Sequence, residues 1–231
     1  MNIINLIVSL FFPNICLVCR KKLTKNDIIC EKCINNLAIL ETNKCLLCRK
    51  NPAENGICQN CRTEFQFDGV VSVFKFNEVI QSLIHNLKYN EFKKIGIFLG
   101  EFLANKLSNY DFISKVDYII PVPLHKVKKR ERGFNQSDII AKILSDKLNI
   151  KLGNHIIKRA KYTKTQTMLT KKEREVNVRD AFKIKSHRDV KDKNFLIVDD
   201  VITTGSTMKS IVLLLKEYYA NQVYVASIAR A

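Results

Sequence analysis

No stretch of this sequence reaches the eighteen or so consecutive apolar residues of a membrane-spanning helix. The nearest candidate, Ile3 to Phe12, runs for ten residues, is closed by Pro13, and has neither a basic start nor a small-residue cleavage site. It fails as a signal peptide too, so the protein is expected to be cytoplasmic. A short helix packed on the cysteine-rich region is expected there, with peripheral contact at the inner face of a membrane as the alternative. The sequence also lacks GxxxxGK followed by Ser or Thr, which excludes a P-loop, and lacks the GxGxxG of a dinucleotide site. Its four histidines (His85, His125, His155, His187) are scattered, and no Ser-His-Asp arrangement is evident. After Cys61 there is no cysteine at all.

The cysteines that are present form four CxxC knuckles: Cys16/Cys19, Cys30/Cys33, Cys45/Cys48 and Cys58/Cys61. Ten residues separate the first two knuckles and nine the last two, so the stretch is an internal repeat. Each knuckle presents two sulfurs from one tight turn, and two knuckles supply the four thiolates of a closed tetrahedral zinc site. A disulfide framework would need a secreted context, and a redox pair would need only one knuckle. Two structural zinc ions are therefore expected, with no open coordination position for catalysis. Sequential pairing of the knuckles is the simplest arrangement, and crossed pairing stays open.

Acidic residues are scarce against basic ones. Thirty-nine Lys and Arg against 22 Asp and Glu give a formal charge of +17. Each four-thiolate zinc site removes two charges, so the zinc-loaded chain carries about +13. Such a field favours polyanionic partners such as nucleic acid, anionic lipid or a polyphosphate. A lysine-rich solvated surface is the plainer reading of the same numbers.

With 46% hydrophobic residues the chain has enough apolar material for a folded core. Residues 1–66 are expected to form the zinc domain and 67–231 a larger one. From Phe67 onward, strand-like runs (70–76, 118–122, 181–185, 195–198, 223–228) alternate with helical spacing (79–88, 95–107, 135–148, 207–219). That alternation predicts an α/β fold, a parallel sheet with helices on both faces. Residues 158–180 are polar and basic with little periodicity and read as a long functional loop.

The segment from Phe195 to Thr207 is the most informative. Four apolar residues are followed by Asp199 and Asp200, then by Thr203, Thr204, Gly205, Ser206 and Thr207 opening a helix. Ligands bind at the carboxyl ends of strands in such sheets. Backbone N–H groups and hydroxyls at a helix start suit a phosphate, and Gly205 permits a tight turn. The two carboxylates would repel phosphate but accept hydrogen bonds from a sugar diol. One short segment thus describes a ribose 5-phosphate site. The plainer alternative, a capped turn, leaves two adjacent carboxylates at the end of a buried strand unexplained.

This segment resembles the motif by which type I phosphoribosyltransferases bind 5-phosphoribosyl-1-pyrophosphate (PRPP). By that resemblance Asp199 and Asp200 hold the ribose hydroxyls and Thr203 to Thr207 the 5′-phosphate. Pro121-Val-Pro-Leu-His125, Arg130-Glu-Arg-Gly-Phe-Asn-Gln136, Leu87-Lys-Tyr89, Thr165-Gln166 through Arg174, Asn177, Ala181-Phe182 and Ala229-Arg-Ala231 are similar to the signature of the ComF/ComFC-like competence proteins. Those also begin with a zinc ribbon. The resemblance implies a pyrophosphate loop carrying Lys126, Lys128, Lys129, Arg130 and Arg132. It implies a mobile loop carrying Lys164, Lys171, Lys172 and Arg174, and magnesium accompanying PRPP. It also implies a role in DNA uptake. Two functions follow: phosphoribosyl transfer to an undefined acceptor, or handling of single-stranded DNA beside DNA-uptake proteins. For the second, Phe65, Phe67, Phe134 and Tyr162 are the candidate stacking aromatics.

Overall fold

In a computed structural model the structure describes residues 14–23, 27–41, 43–89, 92–161 and 181–231. The opening run Ile3–Phe12, Tyr162, and the 162–180 stretch with Lys164, Lys171, Lys172 and Arg174 lie outside the described residues.

The centre is a five-stranded sheet of β1 (Gly69–Lys75), β2 (Tyr118–Pro121), β3 (Lys151–Leu152), β6 (Phe195–Ile202) and β7 (Val223–Arg230), in the order β1-β7-β6-β2-β3. Every pairing is parallel. The central strands are apolar on both faces, as a doubly covered parallel sheet requires. Along β6, Leu196 and Val198 enter one core and Phe195 and Ile197 the other. The first core is closed by α3 (Glu78–Tyr89), α4 (Lys93–Leu107) and α6 (Gln136–Leu148). The second is closed by α7 (Ser206–Glu217), through Met208, Ile211, Val212 and Leu215. Each Leu or Ile so enclosed contributes about 1.5–3 kcal/mol relative to exposure.

Local chemistry sets the helix ends. Asn77 accepts from the Ile80 amide at 3.0 Å and starts α3. Asn135 accepts from Ser137 N and starts α6, as its position in the sequence suggests. Ile80, Leu83, Ile84 and Leu87 recur on the buried face of α3. Helices α4 and α6 approach so closely that a Cβ at Gly96 would lie 2.9 Å from Ile139 Cγ2.

Three expectations need correction. Lys126 to Arg132, carrying Lys128, Lys129 and Arg130, is not a loop but helix α5 (Lys126–Arg132). His125 accepts from Val127 N at its start, Gly133 turns left-handed at its end, and Lys and Arg are good helix formers. Strand β6 runs on through both carboxylates to Ile202, because β7 stays paired with it as far as Ile202↔Arg230. The basic stretch from 158 begins inside a strand: β4 (Ile157–Arg159) pairs antiparallel with β5 (Phe182–Ile184).

The cysteine-rich region holds two short helices, α1 (Glu31–Asn35) and α2 (Gln59–Phe65). Its two halves pack on opposite faces of the sheet. Cys16, Leu17, Ile29, Cys33 and Leu37 join the first core, whereas Cys45, Leu46, Ile57, Cys58 and Cys61 join the second. Between them the chain crosses the edge strand β1 with Leu40 N→Val73 O at 2.7 Å and Lys75 N→Ala38 O at 2.8 Å. These bonds cover an edge that would otherwise be open to pairing with another chain.

Candidate functional site

At the carboxyl end of β6, Asp200 lies on the same side as Leu196 and Val198 and so meets the end of α3. Lys88 Nζ stands 2.5 Å from its Oδ2. Asp199 accepts from Ser137 Oγ at 2.8 Å and from the Asp200 amide at 2.9 Å. Burial, and then the charge of Asp200, push the Asp199 carboxyl up to about 7, against the pull of the Ser137 bond and Lys88.

Beyond the strand, Thr203 and Thr204 form the turn, Gly205 (φ 80°) caps α7, and Ser206 and Thr207 begin the helix. Thr204 and Ser206 hydroxyls are 2.7 Å apart. These residues line a small cavity together with Asp199 and Val201. Cations act on the carboxylates and on one another. Burial depresses the Lys128 ammonium, and the neighbouring charges of Arg159, Arg132 and Lys88 depress it further, against Glu131. Arg159 on β4 lies under the influence of Asp199 and over the Phe182 ring at 5.5 Å. Arg132 stacks on Tyr89 at 5.2 Å and meets Gln136 at 3.3 Å.

The structure therefore brings Lys128 and Arg132 near Lys88 and Arg159, the two cations that act on the carboxylates. It turns Lys129 instead toward Asp138, at 3.5 Å, and leaves Arg130 on an exposed face of α5. Lys88, Ser137 and Arg159 are neighbours of the carboxylates that motif reading did not single out. Lys88 lay inside the Leu87-Lys-Tyr89 match, so a signal existed; Ser137 and Arg159 carried none. The aromatics are poor stacking platforms. Phe67 is fully buried, Phe65 packs against Gly205 and under Lys209, and Phe134 lies under Lys93.

The cysteines assemble in sequential pairs: Cys16, Cys19, Cys30 and Cys33 in one cluster, Cys45, Cys48, Cys58 and Cys61 in the other. Within each, the sulfurs lie within 4.8 Å of one another, and Cys19–Cys30 and Cys48–Cys58 are 3.6 and 3.7 Å apart. A tetrahedron with Zn–S near 2.3 Å has an edge of about 3.8 Å, so both clusters fit zinc. The repeat is visible in the backbone. Arg20 and Arg49 are both left-handed and both close the knuckle turn, through Cys16 O and Cys45 O. The next knuckle starts a short helix in each half, with Cys30 or Cys58 as its N-cap.

Each half braces one side of the candidate site. Ser82 Oγ and Asn86 Nδ2 on α3, the helix that ends in Lys88, both donate to Leu17 O at 3.3 Å. Arg230, at the end of β7, donates to the carbonyls of Leu46, Leu47 and Ile202. Leu47 and Phe65 pack against Gly205. Beside this contact a cavity of about 350 Å³ is lined by Lys44, Arg49, Lys75 and Arg230 together with Leu40, Leu46 and Phe76.

A parallel sheet with paired carboxylates and a hydroxyl-rich turn at one strand end, fronted by two four-cysteine centres, defines a phosphoribosyltransferase-type domain with a double zinc ribbon. The phosphoribosyl transferase domain family matches residues 135–231 and the double zinc ribbon domain family residues 7–62. The chain belongs to the ComF/ComFC competence family. It is 34% identical to Competence protein F of Haemophilus influenzae over 179 residues, 75% of this chain and 78% of the relative. It is 32% identical to DNA utilization protein YhgH of Escherichia coli K12 over 164 residues, 70% of this chain and 71% of that protein. A solved purine phosphoribosyltransferase from Pyrococcus horikoshii is 27% identical and covers 60% of this chain and 73% of its own. Its TM-score is 0.37, too slight a likeness to bear on the site.

Proposed function

We propose that residues 67–231 bind PRPP and that residues 1–66 are the double zinc ribbon that holds this site in shape. The observation that carries the reading is the pair Asp199 and Asp200 directly before the Thr203–Thr207 turn. The carboxylates accept the ribose hydroxyls, and the turn and the start of α7 receive the 5′-phosphate. Lys128, Arg132 and Arg159 face the pyrophosphate, with Lys164 and Arg174 as further candidates and Lys129 and Arg130 in lesser roles. The carboxylate oxygens are hard donors that suit magnesium, but both acids already have protein partners, so magnesium fits best as a companion of the ligand's phosphates. When bound it supplies neutralising charge to the leaving group.

In an active transferase the acceptor's lone pair forms the bond to the anomeric carbon, and the carbon–oxygen bond breaks with its electrons leaving on pyrophosphate. The cations on α5 and β4 would stabilise that charge. The cavity between the second ribbon and β7 is where an acceptor would be met. Calorimetric titration of the zinc-loaded chain with PRPP and magnesium tests the reading, beside Asp199→Asn/Asp200→Asn. Binding that the double variant loses supports it; no binding by the unaltered chain sinks it.

The formal charge of +17, and relatives described as competence and DNA utilization proteins, favour a second reading. In it the chain handles single-stranded DNA beside DNA-uptake proteins on the cytoplasmic side, and PRPP acts as a regulator. Among the described residues no helix is long and apolar enough to cross a membrane, and the membrane contact this reading proposes is peripheral. It expects binding that falls steeply with salt and persists in Asp199→Asn. Weak, salt-insensitive binding would remove it.

A further inference from the structure

Asp199 and Asp200 are adjacent acids at the end of a buried strand, and Asp200 is 5% exposed. Two such charges cannot both stay ionised there without compensation. Among the described residues, the group that stands against Asp200 Oδ2 is the Lys88 ammonium, at 2.5 Å, and no second donor reaches that oxygen. A buried ion pair contributes little to stability, because desolvating both ions offsets their attraction. Fold stability is therefore a weak reason for this pair to stand in the cleft.

The position of Lys88 is informative. It lies in the last turn of α3, between fully buried Leu87 and Tyr89, which stacks on Arg132. Its side chain remains 22% exposed, and its charge acts on Lys128. It thus stands where the acidic end of the site gives way to the cationic end, which is where a sugar hydroxyl and a phosphate on neighbouring carbons would both be met.

We infer that Lys88 is the fixed counter-ion of the Asp199–Asp200 pair, supplying at the ribose end the charge that a divalent cation would otherwise bring. The inference rests on the PRPP reading above. It makes the protein less dependent on magnesium for PRPP binding than a bare pair of carboxylates would be.

The test is calorimetric titration of the zinc-loaded full chain with PRPP across a magnesium series, for the unaltered chain, Lys88→Met and Lys88→Arg. With magnesium scarce, Lys88→Met should lose about tenfold or more in affinity, a deficit that narrows as magnesium rises, and Lys88→Arg should retain most of it. Equal binding by Lys88→Met and the unaltered chain across the series would overturn the inference. So would a deficit that magnesium does not change, since that marks a purely steric role. Failure of the unaltered chain to bind at any magnesium concentration would instead remove the PRPP reading itself. Thermal melts and zinc content establish that each variant is folded, and Lys88→Gln replaces the Met variant if that one is not.

Discussion

Asn86 donates to the carbonyl of Leu17 at 3.3 Å, across 69 positions of sequence, and so ties the first zinc knuckle to the helix that carries Lys88. The bond is buried, and Ser82 one turn earlier reaches the same oxygen. Zinc binding is folding free energy for a piece this small, so the position of α3 draws on the metal.

Stripping the metal should accordingly do more than unfold the ribbons. Chelation is expected to release two zinc ions per chain and lower the melting temperature, and PRPP affinity should fall at least tenfold. Metal content, melts and calorimetry on the same samples check this. Full-strength PRPP binding by the metal-free chain would disconnect ribbon and site.

Asp199 should cost the unliganded fold stability at neutral pH. Its carboxyl is pushed up from 3.8 to about 7 by burial and by Asp200. Between those values the unfolded chain is ionised and the folded chain holds the proton, so stability falls as pH rises and the cost is complete above about 7. Asp199→Asn should therefore raise stability at pH 8 by about 1–2 kcal/mol, lose that advantage near pH 4, and weaken PRPP binding. Denaturant melts at both pH values give the comparison. A variant destabilised at pH 8 would contradict the sign.

Gly205 should tolerate no side chain. Its φ is 80°, and an added Cβ would stand 3.2 Å from Phe65 Cε1 and 3.4 Å from Leu47 Cδ2. Gly205→Ala is expected to cost about 1–2 kcal/mol from the left-handed backbone alone. Displacing the turn should also reduce affinity for inorganic phosphate and PRPP. Unchanged melting and binding would show that the second ribbon yields freely there.

Much of this was legible in the chain. Knuckle spacing implied two four-cysteine centres, because a tetrahedral thiolate site constrains sequence spacing directly. Alternating apolar periods implied a parallel sheet covered on both faces. Asp199, Asp200 and Thr203 to Thr207 could be read as one candidate site because they are contiguous, so a single strand end and helix start carry the proposed geometry. What only the tertiary structure decided concerns groups far apart in sequence. Lys88, Ser137 and Arg159 come from three different elements and reach the carboxylates through packing. Which of the α5 cations turn inward was invisible as well, since Lys128 and Lys129 are chemically alike and a helix separates neighbours by about 100°. The placement of the two ribbons on opposite faces of β1 belongs to the same class. Local sequence sets each zinc turn, but buried contact with Val71, Val73 and the α3 helix on one face, and with Val70 and α7 on the other, decides where each turn comes to rest.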